Sequence, residues 1–223
     1  MGLVLVSAFD AVSTTLINRG RHSLNRGEIL QATKRGTTRS RREYVASHLL
    51  LRFAVSIFYD CDPWNLSVVQ TCEYCGGFHG RPWISQHPEL YVSISHDYGE
   101  ICAGVSNKPI GVDVQWPDPR AVLTIGGDPF QAQNEWTADV DPYRAWVRRE
   151  CFIKADGHGL QNLGNLESSD ETMAKIKSWS VIDWVSPQGS LGSAIAQENI
   201  DVGVVQRDGT IMPLNRSDGW QVV

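Results

Sequence analysis

YVSISHDYGEICAGVSNKPIGVDVQ, residues 91–115, reads as three successive β-strands, and the architecture is built outward from it. Apolar and polar residues alternate over residues 91–95, residues 101–106 follow a turn at Asp97-Tyr98-Gly99, and residues 110–115 alternate again. Upstream, residues 39–58 place Val45, Leu49, Phe53 and Ile57 at helical spacing with arginines between them. Downstream, Asp141-Pro142 starts a second helix, with Asp as N-cap and Pro in the first turn, and Gly157 and Gly159 end it near Asp156. Further strands are expected at residues 3–6, 66–70, 179–184, 193–197 and 200–206, a long loop at 116–140, and a tail after Pro213. Both halves read helix then strands, so the expectation is an α+β protein of two similar lobes, residues 1–108 and 109–223.

A chain of 223 residues with 42% hydrophobic side chains can bury a substantial core. No apolar run approaches the roughly 20 residues of a membrane span; the longest candidate, residues 49–58, contains Arg52 and Ser56. The opening residues MGLVLVSAFD lack a basic start and a cleavage signature, and five cysteines without framework spacing suit reduced thiols, so a cytoplasmic protein is expected. Net charge is −5, yet residues 19–52 hold nine basic side chains against Glu28 and Glu43, leaving the remainder at −12. That block is either a solvated helix face or the seat of a local anionic partner. The acidic remainder argues against nucleic acid and for a compact phosphorylated ligand.

Two segments carry candidate chemistry. In Ile110-Gly111-Val112-Asp113-Val114-Gln115 the strand period puts Asp113 and Gln115 on one face, with Gly111 leaving room for a ligand to approach. Both side chains offer hard oxygen ligands of the kind Mg²⁺ takes; the plain alternative is half-exposed strand surface. In WVRRECFIKADGHGL, residues 146–160, Trp146, Glu150 and Lys154 follow one another at i,i+4 on one helix face, alone no more than a surface Glu–Lys pair beside a core Trp. Cys72-x-x-Cys75 with His79 provides three of the four ligands a closed zinc site needs; the favoured reading is a tight turn presenting Arg81.

Taken together, GVDVQ (111–115) and WVRRECFIKADGHGL (146–160), about 35 residues apart, resemble the paired motifs of the Sfp-type 4′-phosphopantetheinyl transferases. Ser93-Ile94-Ser95-His96, His79-Gly80-Arg81-Pro82 and the block from Arg41 to Arg52 resemble further motifs of that family, in family order, over about residues 30–160. The resemblance implies a pseudo-dimeric fold, a monomer with its active site at the seam of two lobes. It implies Mg²⁺-dependent transfer of phosphopantetheine from coenzyme A to a serine of an acyl or peptidyl carrier protein, with no nucleic-acid or membrane partner. Asp113, Gln115 and Glu150 would hold the metal, and Glu150 and Lys154 would be catalytic. Arg42, His48, Arg81, Ser95, His96 and Lys154 would contact coenzyme A, Arg81 with Lys34, Arg39 and Arg42 at its 3′-phosphate. Two departures stand out: Gln115 replaces the family's usual acid, and His48 its usual arginine. They motivate an alternative, a coenzyme A-binding homologue with weak or no transferase activity.

Overall fold

A computed structural model of the chain describes residues 1–72, 75–117, 142–157 and 178–223. The first half runs β1 (Gly2–Ala8), α1 (Phe9–Gly20), α2 (Arg26–Thr33), α3 (Thr38–Tyr59), the hairpin β2 (Val68–Gln70) and β3 (Pro82–Ile84), then β4 (Tyr91–Asp97), β5 (Glu100–Ser106) and β6 (Ile110–Gln115). The second runs α4 (Pro142–Asp156), β7 (Ser180–Val185), β8 (Leu191–Ala196), β9 (Ile200–Val205), β10 (Ile211–Pro213) and β11 (Gln221–Val222). The three strands of the opening stretch form where expected, and the protein is of mixed α+β class.

Strand alternation builds the layers. Leu5 of β1 and Ile101, Ala103 and Val105 of β5 face the helices, packing with Phe9, Leu49, Leu50 and Val55. Val4, Val6 and Cys102 face the opposite way, onto Val112, Val114, Trp184 and Ala194 of the second sheet. α4 closes the far side, where Cys151, Phe152 and Ala155 pack with Trp179 and Ile195. The order of layers is helices, sheet β10-β9-β1-β5-β4, sheet β11-β7-β8-β6, helix.

Several expectations are corrected. β9 pairs parallel with β1, Gly2 opposite Ile200 through Val6 opposite Val204, so residues 200–213 add to the sheet of the first half and the sheets do not divide at residue 108. The residues after Pro213 are not a free tail: Leu214 and Ser217 are buried, and β11 pairs with β7. The buried face of α3 is wider than the spacing of Val45, Leu49, Phe53 and Ile57 suggested; Ile57 is exposed, whereas Ser47, His48 and Arg52 are buried, because α1 and α2 cover a second side of the helix. α1 and α2 were not foreseen. α2 is held at its start by a capping box, Glu28 N–H donating to Asn25 and Asn25 N–H to Glu28, worth about 1 kcal/mol. The loop expected at residues 116–140 and the Asp141 cap lie, from residue 118 on, outside the described residues, as do His158, Gly159 and Leu160.

Besides packing face to face, the two sheets are joined through side chains along their edge strands β4 and β6. The hydroxyls of Ser93 and Ser95 accept the backbone N–H of Val112 and Val114, at 3.1 and 3.3 Å, and Asp97 Oδ2 accepts that of Trp116 at 2.7 Å. Alternate polar residues of β4 thus take the place of a strand partner for β6. On its other side β6 meets α4 so closely that a Cβ at Gly111 would lie 1.8 Å from the Cys151 carbonyl oxygen. Only glycine fits there, and the space it leaves admits a helix, not the ligand expected from the sequence.

Candidate active site

The crossing of β6, β4 and α4 gathers Asp113, Ser95, Gln115 and Lys154. Asp113 is 4% exposed, and three neighbours donate hydrogen bonds to its carboxyl group. Its Oδ1 accepts from Lys154 Nζ at 2.6 Å and from the Ser95 hydroxyl at 2.8 Å, and its Oδ2 accepts from the Gln115 amide at 3.0 Å. Lys154 Nζ also donates to the Val112 carbonyl at 3.1 Å, which ties the helix to the strand bearing Asp113. Burial lowers the pKa of Lys154, but the Asp113 carboxylate outweighs it and the net shift is upward, so this ammonium stays charged.

Glu150, one turn before Lys154, lies within the field of the same carboxylate. Burial and then the Asp113 charge raise its pKa, while Lys154 and Arg149 pull the other way. A carboxylate made more basic beside a fixed ammonium can accept a proton or bind a cation, both oxygen-donor roles. His96, at the end of β4, is pushed down to about 4, first by burial and then by Arg35, His48 and Lys154. Its imidazole is therefore neutral at pH 7, a hydrogen-bonding group and not a cation.

The remaining expected residues fall into separate surroundings. Arg81 stands over the Tyr91 ring at 4.9 Å and beside Gly157, whose φ of +81° is the left-handed turn that ends α4. Its Nη2 is buried without a hydrogen-bond partner, an unanswered donor suited to an anion. Arg42 is exposed over the Phe9 ring at 5.6 Å, outside the Asp113 network. His48 is turned inward, 2% exposed, its Nδ1 2.9 Å from Glu28 Oε1. Burial first, against the Glu28 hydrogen bond, lowers its pKa.

Two residues went unremarked as site candidates. Tyr44 is 4% exposed with its hydroxyl unpartnered, its ring 4.2 Å from His48 and 6.2 Å, edge-on, from His96. Arg35 lies over that ring at 4.8 Å. Arg35 counted only as charge in the basic segment, and Tyr44 only as part of a helix; nothing in their spacing marked them.

No protein-family model matches the chain. Three curated proteins do. A 4′-phosphopantetheinyl transferase of Bacillus subtilis is 32% identical over 120 residues, covering 50% of each chain. The 4′-phosphopantetheinyl transferase ffp of Bacillus subtilis is 28% identical over 92 residues, covering 37% of this chain and 40% of its own. The 4′-phosphopantetheinyl transferase Sfp of Bacillus subtilis (strain 168) is 29% identical over 121 residues, covering 50% of each. The chain resembles the Sfp-type 4′-phosphopantetheinyl transferases. It spans about half the length of the curated relatives it matches. Among the described residues, no helix is long and apolar enough to cross a membrane.

Proposed function

We propose that this chain transfers the 4′-phosphopantetheine arm of coenzyme A to a serine of an acyl or peptidyl carrier protein, releasing 3′,5′-ADP, in a Mg²⁺-dependent reaction. The observation that carries the reading is the Lys154–Asp113 pair at 2.6 Å, which joins the two segments that resemble transferase motifs through one part-buried contact. The residues fit a hard divalent ion. Asp113 and Glu150 are close enough for the one charge to raise the other's pKa, and Gln115 keeps a carbonyl oxygen to offer while its amide donates to Asp113. When bound there, the ion supplies charge neutralisation of the coenzyme A diphosphate.

The chain's own groups do the rest. Lys154, tethered by Asp113 and Val112 and 30% exposed, presents a fixed positive charge to a transferring phosphoryl group. Glu150, made more basic by its surroundings, accepts the proton of the attacking serine hydroxyl. Arg81, through its unpartnered Nη2, and neutral His96 offer hydrogen bonds to the phosphates of the leaving nucleotide. Gln115 in place of an acid favours a second reading, a homologue that binds coenzyme A and transfers little.

Mass spectrometry of an apo carrier protein incubated with the chain, coenzyme A and Mg²⁺ tests both. Addition of phosphopantetheine to the carrier serine, abolished by chelation and in Glu150→Ala or Lys154→Ala, is the expected result. Calorimetric binding of coenzyme A without transfer would select the second reading. Absence of binding sinks both.

A further inference from the structure

The turn between β2 and β3 holds a group that the transferase reading does not use. Cys72, Cys75 and His79 bring one ligand atom each to within 4.8 Å of one another, and Cys75 Sγ lies 3.1 Å from His79 Nε2. Two thiolates and an imidazole on a tetrahedral zinc, at Zn–S of about 2.3 Å and Zn–N of about 2.0 Å, would stand about 3.5–3.8 Å apart. The 3.1 Å Cys75–His79 separation is a little short of that spacing, and the 4.8 Å limit on all three atoms leaves room for it. The backbone is arranged for it as well. Gly76 N–H donates to the Cys72 carbonyl and Cys72 N–H to that of Gly77, each at 2.8 Å, so the turn closes on itself. Gly77 N–H then points at Cys75 Sγ, 3.4 Å away, the kind of backbone donor that stabilises a thiolate bound to metal. No disulfide joins the two cysteines.

We propose that Cys72, Cys75 and His79 form a metal site selective for Zn²⁺, with two thiolates, one imidazole and a fourth position open to water. Two sulfur donors with one nitrogen select a borderline-soft ion over Mg²⁺ or Ca²⁺, and the site is separate from Asp113 and Glu150. Binding displaces the two thiol protons and leaves a doubly anionic ligand set that neutralises the ion. Its role is to fasten the turn out of which Arg81 leads. Gln70 donates to the Gly80 carbonyl at 3.0 Å immediately before Arg81, so fixing the turn fixes the base of that side chain. The site does not rest on the transferase reading, and its test does not measure transfer.

The test is a Co²⁺ titration of the full chain, stripped with chelator and reduced under anaerobic conditions. Thiolate-to-cobalt absorption should saturate at about one ion per chain, as a single three-ligand site requires, and added Zn²⁺ should bleach it. Cys72→Ser and Cys75→Ser should lose the band, and Cys61→Ser, altering a cysteine outside the cluster, should keep it. His79→Gln should weaken Co²⁺ binding at least roughly tenfold, the low end for loss of even a supporting group. His79→Cys should retain binding with a stronger charge-transfer band, which separates loss of a ligand from loss of the fold. No band in protein whose Cys72 and Cys75 react as free thiols, a band that survives Cys75→Ser, or a Cys72–Cys75 disulfide in the anaerobic protein would each overturn the site.

Discussion

Two buried carboxylates in this chain meet their cations in opposite ways. Glu28 receives both arms of Arg52 at 2.7 Å each, His48 at 2.9 Å and the Asn25 N–H at 2.9 Å. Arg52, fully buried, spends all five of its N–H donors: two on Glu28 and one each on the carbonyls of Leu66, His48 and Ser23. Nothing there is left for a ligand. Around Asp113 the count does not close. Lys154 gives two of its three N–H donors to described residues and reaches solvent, and Glu150 beside it is raised in pKa instead of being neutralised. A closed cluster holds helices together; an open one of similar composition can do chemistry.

Breaking each cluster separates the two roles. Asp113→Asn keeps the size of the side chain but removes the charge that fixes Lys154. Carrier modification should fall on the order of 10²–10³-fold or more, the scale for losing one preorganised electrostatic partner. Melting temperature, measured alongside, should change little; a collapse of the fold would show that Asp113 is structural.

Glu28→Gln should do the converse. It strands the Arg52 guanidinium in the interior, which costs about 3–5 kcal/mol in denaturant unfolding. Modification per folded molecule should stay within a few-fold of the parent. The same cluster sets the acid limit. Burial would raise the Glu28 pKa, but His48 and Arg52 hydrogen bonds and charge bring it down from 4.5 to about 2. The unfolded chain therefore takes up the proton first. This contribution, about 3 kcal/mol at 1.36 kcal/mol per pKa unit, is present above about pH 4.5 and is lost as pH falls toward 2. His48, lowered by burial, adds to the loss on the acid side. Urea unfolding across that range should lose this acid limb in Glu28→Gln.

A third buried carboxyl sharpens the comparison. Glu100 accepts from Trp184 Nε1 at 2.8 Å and from the Ser190 hydroxyl, with no ion pair to it among the described residues. Burial pushes it up from 4.5 to about 7 against the hydrogen bonds of Ser190, Trp184 and Ser186, and Asp97 adds to the rise. The folded state holds this proton longer than the unfolded, so stability declines as pH rises from the usual carboxylate range through about 7. Glu100→Gln should flatten that decline, worth up to about 3 kcal/mol from the same conversion, in unfolding midpoints followed by tryptophan fluorescence. An unchanged decline would place the titrating group elsewhere.

The smallest effect concerns the open cluster. Gln115→Glu adds a carboxylate to the set of Asp113 and Glu150, and should lower the Mg²⁺ concentration for half-maximal transfer by roughly 2–10-fold. Coenzyme A binding should be unaffected. An unchanged Mg²⁺ requirement would remove Gln115 from the metal shell.

Strands 4 to 6 and the two long helices were legible because alternation and i,i+4 spacing are local signals, and the motif residues sit on those elements. That Asp113 and Lys154 belong to one site follows from the motif resemblance alone; their direct contact, brought about by α4 laid on β6 at Gly111, is a tertiary feature that no period in the sequence announces. Ser93 and Ser95 read as the polar positions of an alternating strand and Asp97 as a turn residue, yet all three bond the backbone of β6. Arg52 reads as part of a basic block and His48 as a coenzyme A contact because neither charge counts nor motifs carry a partner, and Glu28 lies 24 and 20 residues away from them. α1 escaped notice since its Ser, Thr and Val residues favour no helix by themselves; packing of Phe9, Val12 and Leu16 makes it one.

β1 lies between β5 and β9, and these neighbours reach it at very different times during synthesis. β5 follows β1 after about 100 residues, but Ile200, which pairs with Gly2, comes only after about 100 more. At about 5–20 residues per second, the outer edge of β1 waits roughly 10–40 s on the ribosome for its parallel partner. During that time an unpaired edge is open to any other strand. A nascent chain released before residue 200 would carry this edge permanently, as a natural target for chaperones and a nucleus for aggregation.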